Sequence, residues 1–373
     1  MELIHLAPED QHHYMNFYRN IYHSYPKKKE DMGDFLEKIL KGKSPLNQRL
    51  DYKPVLIYEN QQPIMGAVLA RCQGLPDYLQ ISFFEAVEKN REAFLMILQE
   101  ALNLGKKWGC KTLTGGLNLH VNYGLGFLHE DTGEVGFGMN YNPVFYNELF
   151  QEEGFSKRDL VTYKLNLKDY HLPLRKQTRM RLDNRYIIEK ARWKDIKSTV
   201  KTYTALNNRC FQDHLYYYPR VMEEDYELFK PFSWLLRDEN LLFVYRRGAD
   251  GKKATEDPVG FMLWYPDYNE LIPDGGSITV KTLWDLKIRK KPISTMKIVE
   301  MGIVPKERNR GAIIALFQEL ERCVRGNYQY LESSWVLGNN EPSKGFGIRW
   351  ADGEGKGYAV YERKIHSEEA TTL

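Results

Sequence analysis

The sequence lacks any hydrophobic run long enough to cross a membrane. Its longest apolar runs, Ala93 to Leu98 and Leu241 to Tyr245, fall far short of the ~20 residues that a transmembrane helix needs. The first residues, Met-Glu-Leu-Ile-His, lead into a charged segment without the basic, apolar and small-residue parts of a secretory signal. These two absences predict a cytoplasmic protein with no membrane partner.

The chain also lacks a charge surplus and a cysteine framework. The formal net charge is only +3, too small a surplus to favour nucleic acid or an anionic surface as an obligatory partner. Cys72, Cys110, Cys210 and Cys323 lie far apart with no CxxC pair, which predicts reduced, buried thiols. No His, Cys and Asp spacing indicates a metal site, and no Gly-x-Ser-x-Gly elbow indicates a hydrolase. We therefore expect no bound metal.

The composition that is present suits a folded protein with a sizeable core. The 373 residues are 42% hydrophobic and 28% charged, with ordinary numbers of Gly and Pro. This length corresponds to between two and three domains, and two is the natural first estimate. Disordered, collagen-like and coiled-coil chains are excluded by the same composition.

Two halves of the sequence run through the same order of predicted elements. The first half predicts strands at 55–58, 64–70, 78–84, 111–114 and 159–167, with helices at 93–108 and 143–153. The second half predicts strands at 241–245, 259–265, 296–304, 328–337 and 358–364, with helices at 312–324 and 341–347. The fold class predicted is therefore mixed α/β, built from two tandem modules. We expect one domain at 1–168, a basic linker at 169–185 and a second domain at 186–373.

The most informative segment is the strand, turn and helix from Met296 to Val324. A basic turn that feeds a helix N-terminus directs free backbone N–H groups and the positive end of the helix dipole at one spot, which suits a phosphate. Arg308 and Arg310 add positive charge, and Gly311 lets a ligand approach the backbone. An ordinary turn with solvated arginines explains the same residues, so the physical pattern leaves both interpretations open.

This turn resembles the acyl-CoA pyrophosphate loop of the GNAT (Gcn5-related N-acetyltransferase) superfamily. The family pattern is Q/R-x-x-G-x-G/A, which Arg308 and Gly311 match, whereas Ile313 stands where the last Gly or Ala is expected. The stretch 332–340, Glu-Ser-Ser-Trp-Val-Leu-Gly-Asn-Asn, is similar to the fifth strand of a GNAT domain and the asparagine that follows it. The resemblance implies that strands 296–304 and 328–337 splay apart around the pantetheine arm.

A wider resemblance covers nearly the whole chain. Pro266-Asp267-x-Asn269, the segment 122–126 and the segment 141–155 are similar to a bacterial group of proteins in which two GNAT-like modules lie in tandem. The helix of the first module follows Glu85 and Glu88 with no glycine, so like charge would repel CoA phosphates there. We expect that half to be degenerate and to serve structure or to shape the substrate site.

The resemblance implies acyl transfer from acetyl-CoA or another acyl-CoA to a primary amine of a small or amino-acid-like acceptor. Glu300 is the first candidate base, because strand alternation places its carboxylate on one face with the apolar residues Met296, Ile298 and Val304, and Glu332 is the reserve candidate. A structural, salt-bridged role for Glu300 stays open. Tyr358 is the candidate acid, because Phe346 occupies the helix position where relatives carry a tyrosine. Packing in the last strand would also explain Tyr358.

The remaining site residues follow from the same resemblance. The predicted CoA-binding residues are Ile303, Val304, Arg308, Arg310, Gly311, Ala312, Asn339 and Asn340. The predicted substrate residues are Tyr216, Tyr217 and Tyr218, three adjacent aromatic rings in the segment where GNAT domains vary with substrate. Loop packing against a neighbour would explain the three tyrosines as well.

Two other classes of function stay open. One is a non-catalytic GNAT-like protein that binds a ligand or regulates, which Ile313 and the missing tyrosine would suit. The other is a Fem-like aminoacyltransferase that uses tRNA, which would need a continuous basic groove that the near-neutral charge does not favour. The partner expected is therefore a small amine and not a nucleic acid, with a homodimer as one open arrangement.

Overall fold

The computed structural model describes residues 1–25, 27–29, 32–130, 134–168, 171–338 and 340–365. The elements of the first half are β1 Glu2–His5, α1 Gln11–Ser24, α2 Gly33–Leu40, β2 Leu50–Glu59, β3 Gln62–Cys72, β4 Tyr78–Ala86, α3 Arg91–Lys107, β5 Thr112–Gly115, β6 Phe127–Leu128, α4 Phe145–Glu152 and β7 Ser156–Asn166. Those of the second half are α5 Lys176–Arg185, β8 Tyr186–Lys190, α6 Ile196–Phe211, α7 Met222–Phe229, β9 Leu241–Arg246, β10 Gly260–Pro266, α8 Val280–Lys287, β11 Thr295–Ile303, α9 Ala312–Val324, β12 Tyr330–Ser333, β13 Val336–Leu337, α10 Glu341–Trp350 and β14 Gly353–Lys364.

All strands of the described chain join one mixed sheet. Its order is β1-β2-β3-β4-β5-β14-β7-β12-β11-β10-β9-β8, with β6 beside β14 and β13 beside β7. The pairs β4–β5 and β11–β12 are parallel, and each is connected by a helix, α3 or α9, that packs on the strands of its own half. This architecture confirms the mixed α/β fold class that the sequence predicts.

The last strand of each half lies beside the other half. β14, from the C-terminus, pairs with β5 of the first half, whereas β7 of the first half pairs with β12 of the second. Ala359 and Tyr361 of β14 are buried in the same hydrophobic cluster as Phe94 and Phe150. The two halves therefore exchange their final strands, and residues 353–364 complete the core of the first half.

The segment that the sequence predicts as a basic linker contains a helix. In α5, Leu182 is buried and Arg179 forms an ion pair with Glu321 of α9, with Nη1 and Oε2 3.1 Å apart. The run of basic residues thus holds α5 against α9 in addition to facing solvent. The domain boundaries at 168 and 185 remain a prediction.

Most of the differences from the sequence prediction lie near the start of each half, where even the long helices α1 and α6, of 14 and 16 residues, were not predicted. The pattern did not predict β1, α1, α2, β8, α6, α7 or α8, and the strand expected at 328–337 is divided into β12 and β13. No helix among the described residues is long and apolar enough to cross a membrane.

Candidate functional site

The parallel strands β11 and β12 separate at the centre of the second half. Their pairing runs from Thr295 with Tyr330 to Ile298 with Ser333, and Ser334 N then donates to Ile298 O at 2.8 Å. Beyond this point β13 pairs with β7 instead of with β11. A gap therefore opens between the two strands, as the sequence resemblance implies.

Two cavities meet at this gap. The smaller, of about 100 Å³, is lined mainly by apolar residues of α9, α10, β7 and β12. The larger, of about 440 Å³, lies between the two halves of the chain and reaches from Glu300 and Met301 of β11 to Phe35 of α2 and Tyr123 of the first half. Since Ile298 and Met301 line both cavities, the two cavities adjoin at the gap.

A bulge in β11 points Glu300 into the larger cavity. Glu300 pairs with Leu263 of β10, but the next pair is Ile298 with Trp264, so Val299 is an extra residue on β11. The strand alternation that placed Glu300 on one face with Ile298 is therefore wrong across this point. The bulge breaks the period of two and presents Glu300 toward α6.

The Glu300 carboxylate is partly buried and receives its hydrogen bonds from α6. The hydroxyl of Tyr203 donates to Oε2 of Glu300, and Nδ2 of Asn207 donates to the same hydroxyl at 3.1 Å. Burial raises the pKa of Glu300 to about 7, although the hydrogen bonds from Tyr203 and Asn207 oppose this rise. At neutral pH this side chain is thus poised between its acid and base forms, as a general base requires.

A buried ion pair stands behind these groups. Arg220 Nη1 lies 2.8 Å from Oδ1 of Asp225, and both side chains are only 1% exposed. Arg220 Nη2 also donates to the hydroxyl of Tyr123, in the first half, at 3.1 Å. Asp225 in turn accepts a hydrogen bond from Thr204 of α6 at 2.6 Å. The pair fixes α6 and α7 against the first half and so supports the wall that carries Tyr203.

The turn before α9 keeps an open helix N-terminus. Gly311 is the N-cap with φ +95° and no side chain, and Ala315 N donates to Gly311 O as the first helical bond. The N–H groups of the first turn therefore have no partner within the helix, as an anion-binding site requires. Arg310 is 52% exposed beside this turn, and its Nη1 lies 3.8 Å from Oε1 of Glu307, which is also 3.4 Å from Arg246 Nη1. These residues fit a pyrophosphate group.

Other contacts narrow the approach to that turn. Arg308 donates from Nη2 to Cys210 O at 2.8 Å and from Nε to Ile303 O at 3.2 Å, so its guanidinium also ties β11 to α6. Tyr186 donates to Arg310 O at 2.8 Å. The side of Gly311 that would carry a Cβ faces Leu182 Cδ2 at 3.0 Å. A phosphate would have to approach along the helix axis.

The corresponding turn in the first half is closed. Asn90 is the N-cap of α3, and its Oδ1 accepts a hydrogen bond from Ala93 N at 3.0 Å. The Asn90 side chain therefore binds a backbone N–H group at the start of α3, whereas Gly311 has no side chain that could do so at the start of α9. Glu85 of β4 is buried against Lys28 and accepts a hydrogen bond from Tyr146 at 2.9 Å. The polar groups of this half are therefore engaged with one another, in keeping with the predicted degenerate half.

The other predicted CoA-binding residues lie around the gap and the turn. Val304 N donates to Val259 O at 2.9 Å, Ala312 is buried in the first turn of α9, and Asn340 lines the larger cavity. Asn339 lies outside the described residues. The binding roles of these residues remain predictions.

The reserve base and the candidate acid lie away from the larger cavity. Glu332 is 6% exposed and accepts a hydrogen bond from Lys356 Nζ at 2.8 Å. Tyr358 is 1% exposed between Leu128 and Leu160, because β14 is inserted beside β7 of the first half. Burial raises the pKa of Tyr358 above its ordinary value. Neither Glu332 nor Tyr358 lines either cavity, and their catalytic roles remain predictions.

The three adjacent tyrosines point in three directions. Only Tyr217 lines the larger cavity, and its hydroxyl lies 2.8 Å from Oδ1 of Asn207. Tyr216 is buried and donates to Glu362 at 2.7 Å, while Tyr218 packs on the His120 ring with centroids 4.6 Å apart. The aromatic wall expected from all three is therefore reduced to Tyr217.

Several residues that line the larger cavity, or hydrogen-bond to its lining residues, were not identified from the sequence. Tyr203 and Asn207 lie one helical turn apart on α6, a spacing that would have placed both on one face had α6 been predicted. The first half contributes Phe35, Tyr123 and Phe137 to the cavity, which no local pattern in that half indicates. Among the described residues no cluster of His, Cys, Asp and Glu could hold a metal ion.

No family model and no curated protein matches the chain, but solved structures do. A tandem GNAT protein from the clavulanic acid biosynthesis pathway is 9% identical with a TM-score of 0.53, and the match covers 98% of each chain. A probable N-acyltransferase from Enterococcus faecalis is 10% identical with a TM-score of 0.52, over 98% of this chain and 72% of that one.

A third structure contains the GCN5-related glucosamine N-acetyltransferase region of a fungal multi-domain β-N-acetylglucosaminidase. It is 12% identical with a TM-score of 0.53, and the match covers 97% of this chain but only 38% of the fungal chain. These likenesses confirm the architecture that the sequence resemblance implied. The chain has the tandem GNAT fold.

Proposed function

We propose that this protein is an acyl-CoA-dependent N-acyltransferase that acts on the primary amine of a small molecule. The observation that carries the proposal is the position of Glu300, a partly buried carboxylate with a pKa of about 7 at the gap between β11 and β12. The fold shared with proteins described as N-acetyltransferases supports the reaction class.

The two cavities divide the reactants between the two sides of the gap. The N–H groups at the start of α9, with Arg308 and Arg310, would hold the pyrophosphate, and the apolar smaller cavity would take the pantetheine arm. The larger cavity would take the amine. Bound acyl-CoA would supply the thioester, whose C–S bond breaks as the N–C bond of the amide forms.

Glu300 has the role of removing a proton from the amine. An alkylammonium has a pKa of about 10.4 and is not a nucleophile, so its first proton passes to the Glu300 carboxylate. Tyr203 holds this carboxylate in place by its hydrogen bond. The nitrogen loses its second proton to the departing thiolate, so the net reaction releases one proton. Both protons of the amine are thus accounted for without a tyrosine that acts as an acid.

Binding and turnover can be tested separately. Isothermal titration with acetyl-CoA should show micromolar binding, and a thiol-release assay over a panel of primary amines should show turnover. The Glu300→Gln variant should keep acetyl-CoA binding but lose at least tenfold in kcat/KM, whereas Glu354→Gln, at an exposed position of β14, should keep both. Binding without thiol release from any amine would instead identify a non-catalytic binding protein.

A further inference from the structure

The charges in the larger cavity favour a cation. Among the described lining residues, Asp34, Glu227 and Glu300 supply three carboxylates, while Lys38 supplies one ammonium group. Lys38 Nζ already lies 3.8 Å from Oε1 of Glu227. His214 also lines the cavity, but burial lowers its pKa, so the ring is neutral near pH 7. Among the described lining residues, an anionic group of a ligand would therefore find no positive charge that is not already paired with a carboxylate.

The rest of the wall is aromatic. Eleven of the described lining residues are Phe, Tyr or Trp, drawn from both halves of the chain, and they include Phe137, Tyr217, Phe232, Trp234 and Trp335. At about 440 Å³ the cavity falls in the range of sites that enclose a drug-sized molecule. Such a wall gains most from a ligand with its own ring or bulky apolar body.

These two properties define the acceptor, and the inference rests on the proposed function. We propose that the acceptor is a primary amine on an aromatic or other bulky apolar body, without a carboxylate or phosphate. Its ammonium pairs with Glu300, and its body packs on the aromatic wall. A carboxylate on the same molecule would add negative charge to a cavity already lined by Asp34, Glu227 and Glu300, whose one lysine is paired with Glu227, and this is unfavourable. This class is narrower than the small or amino-acid-like acceptor expected from the sequence, because it leaves out free amino acids.

A binding series in the absence of acyl-CoA tests the class directly. The probes are 2-phenylethylamine, phenylalanine and ethylamine, titrated calorimetrically at pH 8. The first should bind at least tenfold more tightly than the other two, because phenylalanine adds a carboxylate and ethylamine lacks the ring. Equal or tighter binding of phenylalanine or ethylamine overturns the proposal, as does a failure of all three to bind.

Tryptophan variants test the aromatic wall. Trp335→Ala should weaken the binding of 2-phenylethylamine about tenfold, and Trp335→Phe should restore most of it. Trp284 on α8 is 53% exposed and is not a lining residue, so Trp284→Ala is the matched control and should bind as the unchanged protein does. If Trp335→Ala keeps its melting temperature and binds normally, the ring does not contact this wall.

The pH dependence of binding tests the ammonium contact. Groups that face or surround Glu300 are Tyr203, Cys210, Tyr217, Arg220 and Asp225. Since the amine stays protonated from pH 6 to 8 and Glu300 ionises across this range, affinity should rise with pH, and Glu300→Gln should abolish the rise. A rise that persists in Glu300→Gln places the ammonium elsewhere and overturns the contact.

Measuring both amine binding and acetyl transfer distinguishes a failure of this inference from a failure of the proposed function. Tight binding of 2-phenylethylamine without acetyl transfer from acetyl-CoA would end the proposed function and keep the ligand class. Transfer to phenylalanine with none to 2-phenylethylamine would support the proposed function and overturn the ligand class.

Discussion

The hydroxyl of Tyr203 on α6 donates a hydrogen bond to the carboxylate of Glu300 on β11. This bond joins the helix that walls the larger cavity to the strand that borders the gap. It also opposes the effect of burial, because a donor stabilises the ionised form of the carboxylate. The balance between burial and this bond sets the pKa of Glu300 near neutrality.

Removing that bond should shift the pH dependence of acyl transfer. In Tyr203→Phe the donor is lost while the ring remains, so the pKa of Glu300 should rise further above 7 and kcat/KM should reach its plateau at higher pH. At pH 7 we expect a loss of severalfold, which a pH series of thiol-release assays would measure. Tyr58→Phe, at a partly buried position of β2, is the control and should leave the profile unchanged. An unshifted profile in Tyr203→Phe would mean that the ionisation of Glu300 does not set the pH dependence of kcat/KM.

Glu300 should also make stability depend on pH. Its pKa is about 7 in the folded protein and about 4.3 in the unfolded chain, so the folded state binds more protons between these values and stability falls as pH rises through them. Glu300→Gln removes this term. Relative to the unchanged protein, the variant should therefore gain stability between pH 5 and pH 8, by at most roughly 3 kcal/mol. Urea unfolding at both pH values measures the gain, and a pH-independent difference would contradict it.

Substitutions at two glycines allow the effect of backbone strain on stability to be measured apart from an effect on ligand binding. Gly311 before α9 has φ +95°, and Gly326 after α9 has φ +73°, so an alanine at either position should cost roughly 1–2 kcal/mol of stability. Only at Gly311 does the added Cβ meet a neighbour, Leu182 Cδ2 at 3.0 Å. Gly311→Ala should weaken acetyl-CoA binding about tenfold in calorimetry, whereas Gly326→Ala should not. Equal affinities for both variants would place the pyrophosphate away from this turn.

Arg220 should be among the most sensitive residues for stability. Arg220→Ala would leave the Asp225 carboxylate buried without its ion pair, which typically costs 3–5 kcal/mol. Arg237 is 73% exposed, and Arg237→Ala should change stability by about 0.5 kcal/mol or less. Urea unfolding of both variants gives the comparison. A loss below about 1 kcal/mol for Arg220→Ala would mean that water reaches Asp225.

Local sequence patterns predicted the central elements well and their long-range arrangement poorly. Helix α9 begins and ends at the predicted residues, Ala312 and Val324, because its apolar face and its glycine cap are local signals. The same reasoning singled out Glu300, whose catalytic role remains a prediction, but it assigned Ile298 to the same face, since a bulge depends on the neighbouring strand. The burial of Tyr358 between Leu128 and Leu160 depends on the strand exchange between the halves, which leaves no mark in the sequence of β14.

The exchanged strands hold the two halves together by hydrogen bonds as well as by the connecting chain. Cutting the peptide anywhere between β7 and β8 would not free either half, because β14 would still be hydrogen-bonded between β5 and β7, and β7 beside β12. A hinge that swings the halves apart would have to break these ladders. Widening the larger cavity by shifting α2 or α7, which line it outside the sheet, would break none of these ladders.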